Sequence, residues 1–238
     1  MTFWQKPEWM TMNNKPTSKK LAFGGHELQL LPEGCLYWKD ENLLVVSDLH
    51  LEKGSSFVAN GVFVPPHDTC ETLSRLNAVL HKTKAIKLLL LGDSFHDENA
   101  YHRLDEKCRH DFSQLCENYE IIWIEGNHER GFVPPGLTSY ESLDIEGLIF
   151  RHIAKEKNQD YEISGHYHPC ATIRHKGKAT RKRCFVTDSQ RIIMPAFGTY
   201  TGSLDVLDPA IKSLMDNEFV IHMSGGKKIY TFPSEILG

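Results

Sequence analysis

Apolar positions in the first half of the chain come in short, nearly unbroken runs. Leu43 to Val46 and Ile121 to Ile124 have no polar interruption, and Ile86 to Leu91 has one, Lys87. Such runs predict strands buried on both faces. Helical spacing lies between them. Pro65-Pro66 precedes Asp68, an N-cap candidate with Glu71 three residues on as in a capping box, and Leu73, Leu76 and Leu80 follow on one face. Leu104, Cys108, Phe112 and Leu115 mark a second helix over 101–118. After Pro134-Pro135-Gly136 the period shortens. Ser139–Asp144, Leu148–Arg151, Tyr161–Ser164, Arg183–Thr187, Arg191–Met194, Glu218–His222 and Lys228–Phe232 read as short strands. A β-α-β first half and a mostly β second half predict two facing sheets flanked by helices. Residues 1–20 are polar and without period, an extension that is disordered or docks through Trp4 and Trp9. Residues 21–238 are expected to form one domain, because the motifs described below interlock over 48–168.

Charge narrows the partners. The net charge of −4 gives no global basic field, so any contact with nucleic acid must be local. Six cysteines without a C-x-x-C pair read as reduced thiols of a cytoplasmic protein. No apolar run approaches the roughly 18 residues of a membrane span, and the N-terminus has no apolar signal core.

Five short elements carry the chemistry: Asp48-Leu49-His50, Gly92-Asp93, Gly126-Asn127-His128-Glu129, Arg151-His152 and Gly165-His166-Tyr167-His168. Each follows a predicted strand, where open α/β sheets gather ligands. Asp, Asn and His suit borderline-to-hard divalent ions. The absence of cysteine from the set argues against a structural zinc knuckle. Asp48 and His50, two apart on an extended segment, can reach one ion. Asp93 has two oxygens and can bridge a pair, while Asn127, His152, His166 and His168 complete the set. Any one element alone is a turn, a surface loop or a core histidine. All five in order predict metal-assisted hydrolysis. His26, His67, His81, His102, His110, His175 and His222 are read as surface or packing residues.

With these motifs the chain resembles the calcineurin-like metallophosphoesterases. Lys53-Gly54-Ser55-Ser56-Phe57, Gly92-Asp93-Ser94-Phe95-His96-Asp97 and Pro195 to Gly202 resemble the DNA ligase-associated (DNA damage response endonuclease) branch. The resemblance implies an α/β (α+β) fold, a four-layer α-β-β-α sandwich of the metallo-dependent phosphatase type. It implies two divalent ions, manganese first, with Zn, Fe or Ni also admitted by the ligand types. Asp48, His50 and His168 would hold one ion and Asn127, His152 and His166 the other, with Asp93 between them. His128 would be the catalytic histidine that binds no metal. The family's second motif is often Gly-Asp-x-x-Asp, with the later Asp orienting that histidine. Here the position is His96 and the acid is Asp97, so the support of His128 stays open between them.

The implied activity is phosphodiester hydrolysis by a DNA end-processing nuclease of bacterial DNA repair, linked to an ATP-dependent DNA ligase. The alternative is a phosphatase or phosphodiesterase acting on a small nucleotide. A non-catalytic binding module would show eroded ligands, and none is missing. No lipid-gripping insertion suggests a membrane substrate. Arg174, Lys176, Lys178, Arg181, Lys182 and Arg183 place six positive charges within ten residues, shortly after His168. They read either as a solvated hairpin or as a patch that tracks a phosphate backbone, with Arg181 and Arg183 as substrate contacts.

Overall fold

The computed structural model describes residues 17–59, 61–62, 64–65, 67–129, 131–156 and 159–237. Residues 1–16 of the expected extension lie outside the described residues, while Lys19 and Lys20 already belong to the first strand. The first sheet has seven strands in chain order: β1 (Lys19–Phe23), β2 (His26–Leu30), β3 (Leu36–Trp38), β4 (Leu43–Val46), β5 (Lys87–Leu91), β6 (Glu120–Ile124) and β7 (Ser139–Tyr140). The pairs from β1 to β4 are antiparallel and those from β4 to β7 parallel. The second sheet is built from β8 (Ser142–Ile145), β9 (Leu148–Arg151), β10 (Tyr161–Ser164), β11 (Pro169–His175), β12 (Lys178–Thr187), β13 (Arg191–Ile193) and β14 (Leu204–Asp205). Its order is β14-β11-β12-β13-β10-β9-β8, and β15 (Val220–Ser224) and β16 (Ile229–Pro233) extend it from β12. The strands β9, β10 and β13 run parallel.

The unbroken apolar runs divide by period two. Leu44, Val46, Leu88, Leu90 and Trp123 face the helices α2 (Asp68–Thr83) and α4 (Glu106–Asn118). Leu43, Val45, Leu89, Leu91 and Ile124 face the second sheet and meet Phe150, Ile163, Phe185 and Ile192. Both faces of β4 and β5 are therefore covered, which is why polar residues are excluded from them. On the outer face of the second sheet, Val186, Ile193 and Ile221 pack under Val206, Ile211 and Phe219. Among the described residues the helical part of that cover is the short α5 (Pro209–Lys212) and a 3-10 turn, Ser234–Leu237. The fold is the expected four-layer α-β-β-α sandwich with a thin fourth layer.

Several local expectations change. Asp68 is the first residue of α2 and does not cap it; the N-cap is His67, without a side-chain bond. The Asp68 carboxylate instead accepts from the Gly54 N–H, tying α2 to α1 (Lys53–Ala59). The helix expected over 101–118 is two helices, α3 (Ala100–Arg103) and α4. Leu104 is extended, and the Asp105 carboxylate accepts from Cys108 N at 2.7 Å, the N-cap bond that starts a new helix. The strand expected over 139–144 splits at Glu141, with β7 in the first sheet and β8 in the second. The thiols are not all reduced, because Cys70 and Cys108, 38 residues apart, form a disulfide between α2 and α4. Cys35, Cys116, Cys170 and Cys184 are free.

Candidate metal centre

The five elements meet at the C-terminal ends of parallel strands. Asp48 and His50 follow β4, Asp93 follows β5, Asn127 and His128 follow β6, His152 follows β9, and His166 and His168 follow β10. Their backbone is unusual. Asp48, His50, Asp93, His166 and His168 all have positive φ, between 43° and 71°. Each costs on the order of 1–3 kcal/mol and persists only where the surroundings enforce it. Asp48 and His50 are thus not on an extended segment; alternate left-handed residues turn both side chains inward. Two glycines allow the loops to close. Gly92 has φ +76° and a Cβ there would strike the His152 ring, while a Cβ on Gly126 would overlap the Asp93 backbone.

Two donor sets result. In one, the Nε2 atoms of His50 and His168 lie 3.3 Å apart and His168 Nε2 is 3.1 Å from Asp48 Oδ1. In the other, His152 Nε2 is 3.2 Å from Asp93 Oδ2, 3.1 Å from Asn127 Oδ1 and 3.3 Å from His166 Nδ1. Asp93 Oδ2 also lies 3.8 Å from His50 Nε2, so it stands between the sets. Two ligands at about 2.0–2.1 Å from a tetrahedral ion are separated by roughly 3.4 Å, so these spacings fit nitrogen and oxygen donors sharing ions. All seven residues expected as ligands converge. Such His and Asp groups can hold divalent metal.

Electrostatics follow from burial against pairing. Burial alone would raise the Asp48 and Asp93 carboxyls. The His168 bond at Asp48, and the His152 bond at Asp93, instead hold them below the usual carboxylate range. Burial pulls His50 down to about 3 against the attraction of Asp48 and Asp93. Burial also opposes charge on His152, but Asp93 and Asp48 raise it to about 9. The donor sets therefore carry ionised carboxylates that a cation would satisfy.

His128 borders the first set, its ring edge-on to His50 with centroids 4.9 Å apart, and with His50 and His96 it forms a further His group. Its side chain is 40% exposed and its Nε2 faces Asp93 Oδ2 at 3.9 Å. Its backbone N–H donates to Asp93 Oδ1, and its Nδ1–H donates to the His96 carbonyl at 2.9 Å. Its support is therefore the His96 backbone. The His96 ring stacks on His128 with centroids 5.2 Å apart, and its Nδ1 is 3.4 Å from His50 Nδ1. The Asp97 carboxylate turns away to Arg103, at 2.6 and 2.8 Å. Arg181 and Arg183 are not among the donors. Arg181 reaches Cys170 Sγ and the Ser203 carbonyl, and Arg183 the Ala196 carbonyl.

Two further residues shape the site although neither was given a role from the sequence. Ser47 Oγ donates to Asp48 Oδ2. Buried Glu129 accepts from the Ser94, Phe95 and Gly126 N–H groups and so locks two of the site loops together. The signal for Glu129 was its place in Gly-Asn-His-Glu; Ser47 had none.

The family model described as calcineurin-like phosphoesterase matches residues 42–170. No match to a curated protein was found. Among solved structures, the Pseudomonas putida nuclease MPE is similar with a TM-score of 0.72 and 24% identity, over 91% of this chain and 100% of that one. The E. coli phosphoesterase Yfce is similar at a TM-score of 0.41 and 14% identity, over 82% of this chain and 99% of that one. The match spans all of β4 to β10 and every residue of the two donor sets, and the chain belongs to the calcineurin-like phosphoesterase family, hydrolases of phosphate esters.

Proposed function

We propose that this protein is a binuclear-metal phosphodiesterase that acts on DNA as an end-processing nuclease of repair. The observation that carries the reading is the position of Asp93 Oδ2, between two donor sets and opposite His128 Nε2. Two divalent ions held there would act as Lewis acids on the phosphate and make water a nucleophile at neutral pH. Asp48, His50 and His168 would hold one ion, and Asn127, His152 and His166 the other. The His96 carbonyl accepts the Nδ1 proton of His128, so the ring presents Nε2 to the reacting group. Protonated, Nε2 gives its proton to the leaving oxygen, a role worth about 10²–10⁴-fold.

The DNA substrate is supported by the basic hairpin of β11 and β12 and by the likeness to a protein described as a nuclease. The branch motifs further support manganese, a role in bacterial repair and a functional link to an ATP-dependent DNA ligase, while action in the cytoplasm rests on the four free thiols alone. Among the described residues no helix is long and apolar enough to cross a membrane. The test is a metal-supplemented panel of bis-p-nitrophenyl phosphate, p-nitrophenyl phosphate, free nucleotides and single- and double-stranded DNA, with elemental analysis. Two manganese ions per chain and fastest turnover on DNA are expected. Turnover on nucleotides alone would replace the DNA reading with the small-nucleotide one, and one ion per chain would overturn the binuclear one.

A further inference from the structure

Beside the metal centre lies a cavity of about 490 Å³, a volume within the usual range of ligand pockets. Arg181, Lys182 and Arg183 of β12 form one wall, with Cys170, Ala196 and Glu33 around it. The cavity shares its framework with the centre. Cys170 is two residues beyond His168, and Ala196 bridges to Ser47, the residue before Asp48. By chain geometry the Cys170 Cα is at most about 7 Å from that of His168, and Arg183 stands opposite Cys170 in the β11–β12 ladder.

The charge in this cavity is unmatched. Among the described residues none of Arg181, Lys182 and Arg183 has a carboxylate partner. Glu33 does not neutralise them, because its Oε1 already pairs with Lys82 at 2.7 Å. Arg183 is half-buried and donates Nη1 to the Ala196 carbonyl at 3.0 Å, which leaves further guanidinium donors for a ligand. Burial, and the nearby charge of Arg75, push Arg183 below its usual value, as expected of a cation without its anion. Glu33 also lines the cavity, and its Oε2 is buried and has no hydrogen-bond partner among the described residues. It calls for a donor, which a nucleoside hydroxyl or amino group supplies.

We propose that this cavity is a second, metal-independent phosphate subsite, which holds a neighbouring phosphate of the polynucleotide while the scissile one sits at the metals. The anion subsite stands on the cavity alone; its assignment to a polynucleotide rests on the DNA reading above. A planar guanidinium with free donors is the group suited to bidentate phosphate recognition. The subsite would favour polymers over mononucleotides by holding the substrate at a point remote from the reacting bond.

Two measurements on the metal-loaded protein test it. Crystals soaked in tungstate are expected to show a tungsten anomalous peak against Arg183 in the native protein and none there in Arg183→Gln. In parallel, the ratio of kcat/KM on a short oligonucleotide to that on bis-p-nitrophenyl phosphate is expected to fall about 10- to 100-fold in Arg183→Gln, the worth of charge-assisted bonds. Lys182→Gln, at the exposed rim, is expected to lower the ratio several-fold and carries the measurement if Arg183→Gln does not fold. No tungsten in the native cavity overturns the subsite. Tungsten in the cavity with an unaltered ratio overturns the polynucleotide assignment. If the native protein hydrolyses bis-p-nitrophenyl phosphate but no oligonucleotide, the DNA reading and the polynucleotide assignment fail together, and the tungsten peak still decides the anion subsite.

Discussion

His128 and His222 show how one residue type serves two purposes through its surroundings. His128 is open to solvent on one side and held by a carbonyl on the other. Its replacement by Ala should leave metal content intact and reduce turnover about 10²–10⁴-fold on diesters with poor leaving groups. The loss should be much smaller on bis-p-nitrophenyl phosphate, whose leaving group scarcely needs a proton. Equal losses on the two substrates, measured at matched metal loading, would remove the general-acid role. His222 is buried between Thr187 Oγ1 and Thr231 Oγ1, at 3.1 and 3.0 Å. Burial, with the nearby Lys19, lowers it to about 4. The unfolded chain then binds more protons than the folded one between about pH 4 and 6.5. The neutral ring's stabilisation is complete above 6.5 and is lost as pH falls toward 4. Between pH 7 and 5 the loss is about 2 kcal/mol. Urea titrations at the two pH values should show that difference shrink in His222→Gln; an undiminished difference would exonerate His222.

Elements were legible where their apolar pattern was pure. The runs at β4, β5 and β6 and the helical stripe of α2 stand where the pattern predicts, because burial on both faces, or along one stripe, admits few alternatives. β1, β2 and β3 were not singled out. They are short and separated by turns at Gly24-Gly25 and Gly34, although the alternation of Leu28 and Leu30 with Glu27 and Gln29 carried the signal. The convergence of the five motifs was legible in the sequence, while the left-handed backbone that aims them was not, since nothing in Asp or His demands positive φ. The break before α4 was hidden because Asp105 suits a helix start and also fits the amphipathic face. The Cys70–Cys108 bond was invisible because it depends on the approach of two helices, with Cα atoms 5.7 Å apart. Closing a 38-residue separation, this bond should contribute about 2–4 kcal/mol. Denaturation with and without reductant, repeated on Cys70→Ser, should show reductant sensitivity in the native protein alone. Sensitivity that survives in the variant would place the effect on another thiol.

At the scale of the molecule, β11 and β12 form an arm rooted at the centre. They are joined by Lys176-Gly177, both at positive φ, the two-residue turn that suits a twisted hairpin. Seven residues from His168 to the tip at about 3.3 Å each give a reach of roughly 20 Å. Arg174, Lys176 and Lys178 ride on that tip and are exposed. If DNA runs along the arm, changing all three to Ala should weaken DNA binding and make it less sensitive to salt. The slope of log K against log salt should shrink by about 0.7–0.9 for each phosphate that the arm no longer neutralises. Binding isotherms across a salt series would measure the slope, and an unaltered slope would detach the arm from the substrate.

Each donor set draws residues from both sheets. Asp48, His50, Asp93 and Asn127 leave the first, whereas His152, His166 and His168 leave the second. What separates the sheets is the layer of Leu43, Val45, Leu89, Phe150 and Ile163. That layer is a gauge block as well as a core. Its thickness sets how far apart the two sheets hold their contributions to the candidate metal centre, and no expected ligand has to be touched for that distance to change. Trimming Phe150 is therefore expected to loosen the calibration as well as the packing, although Phe150 is none of the seven expected ligands.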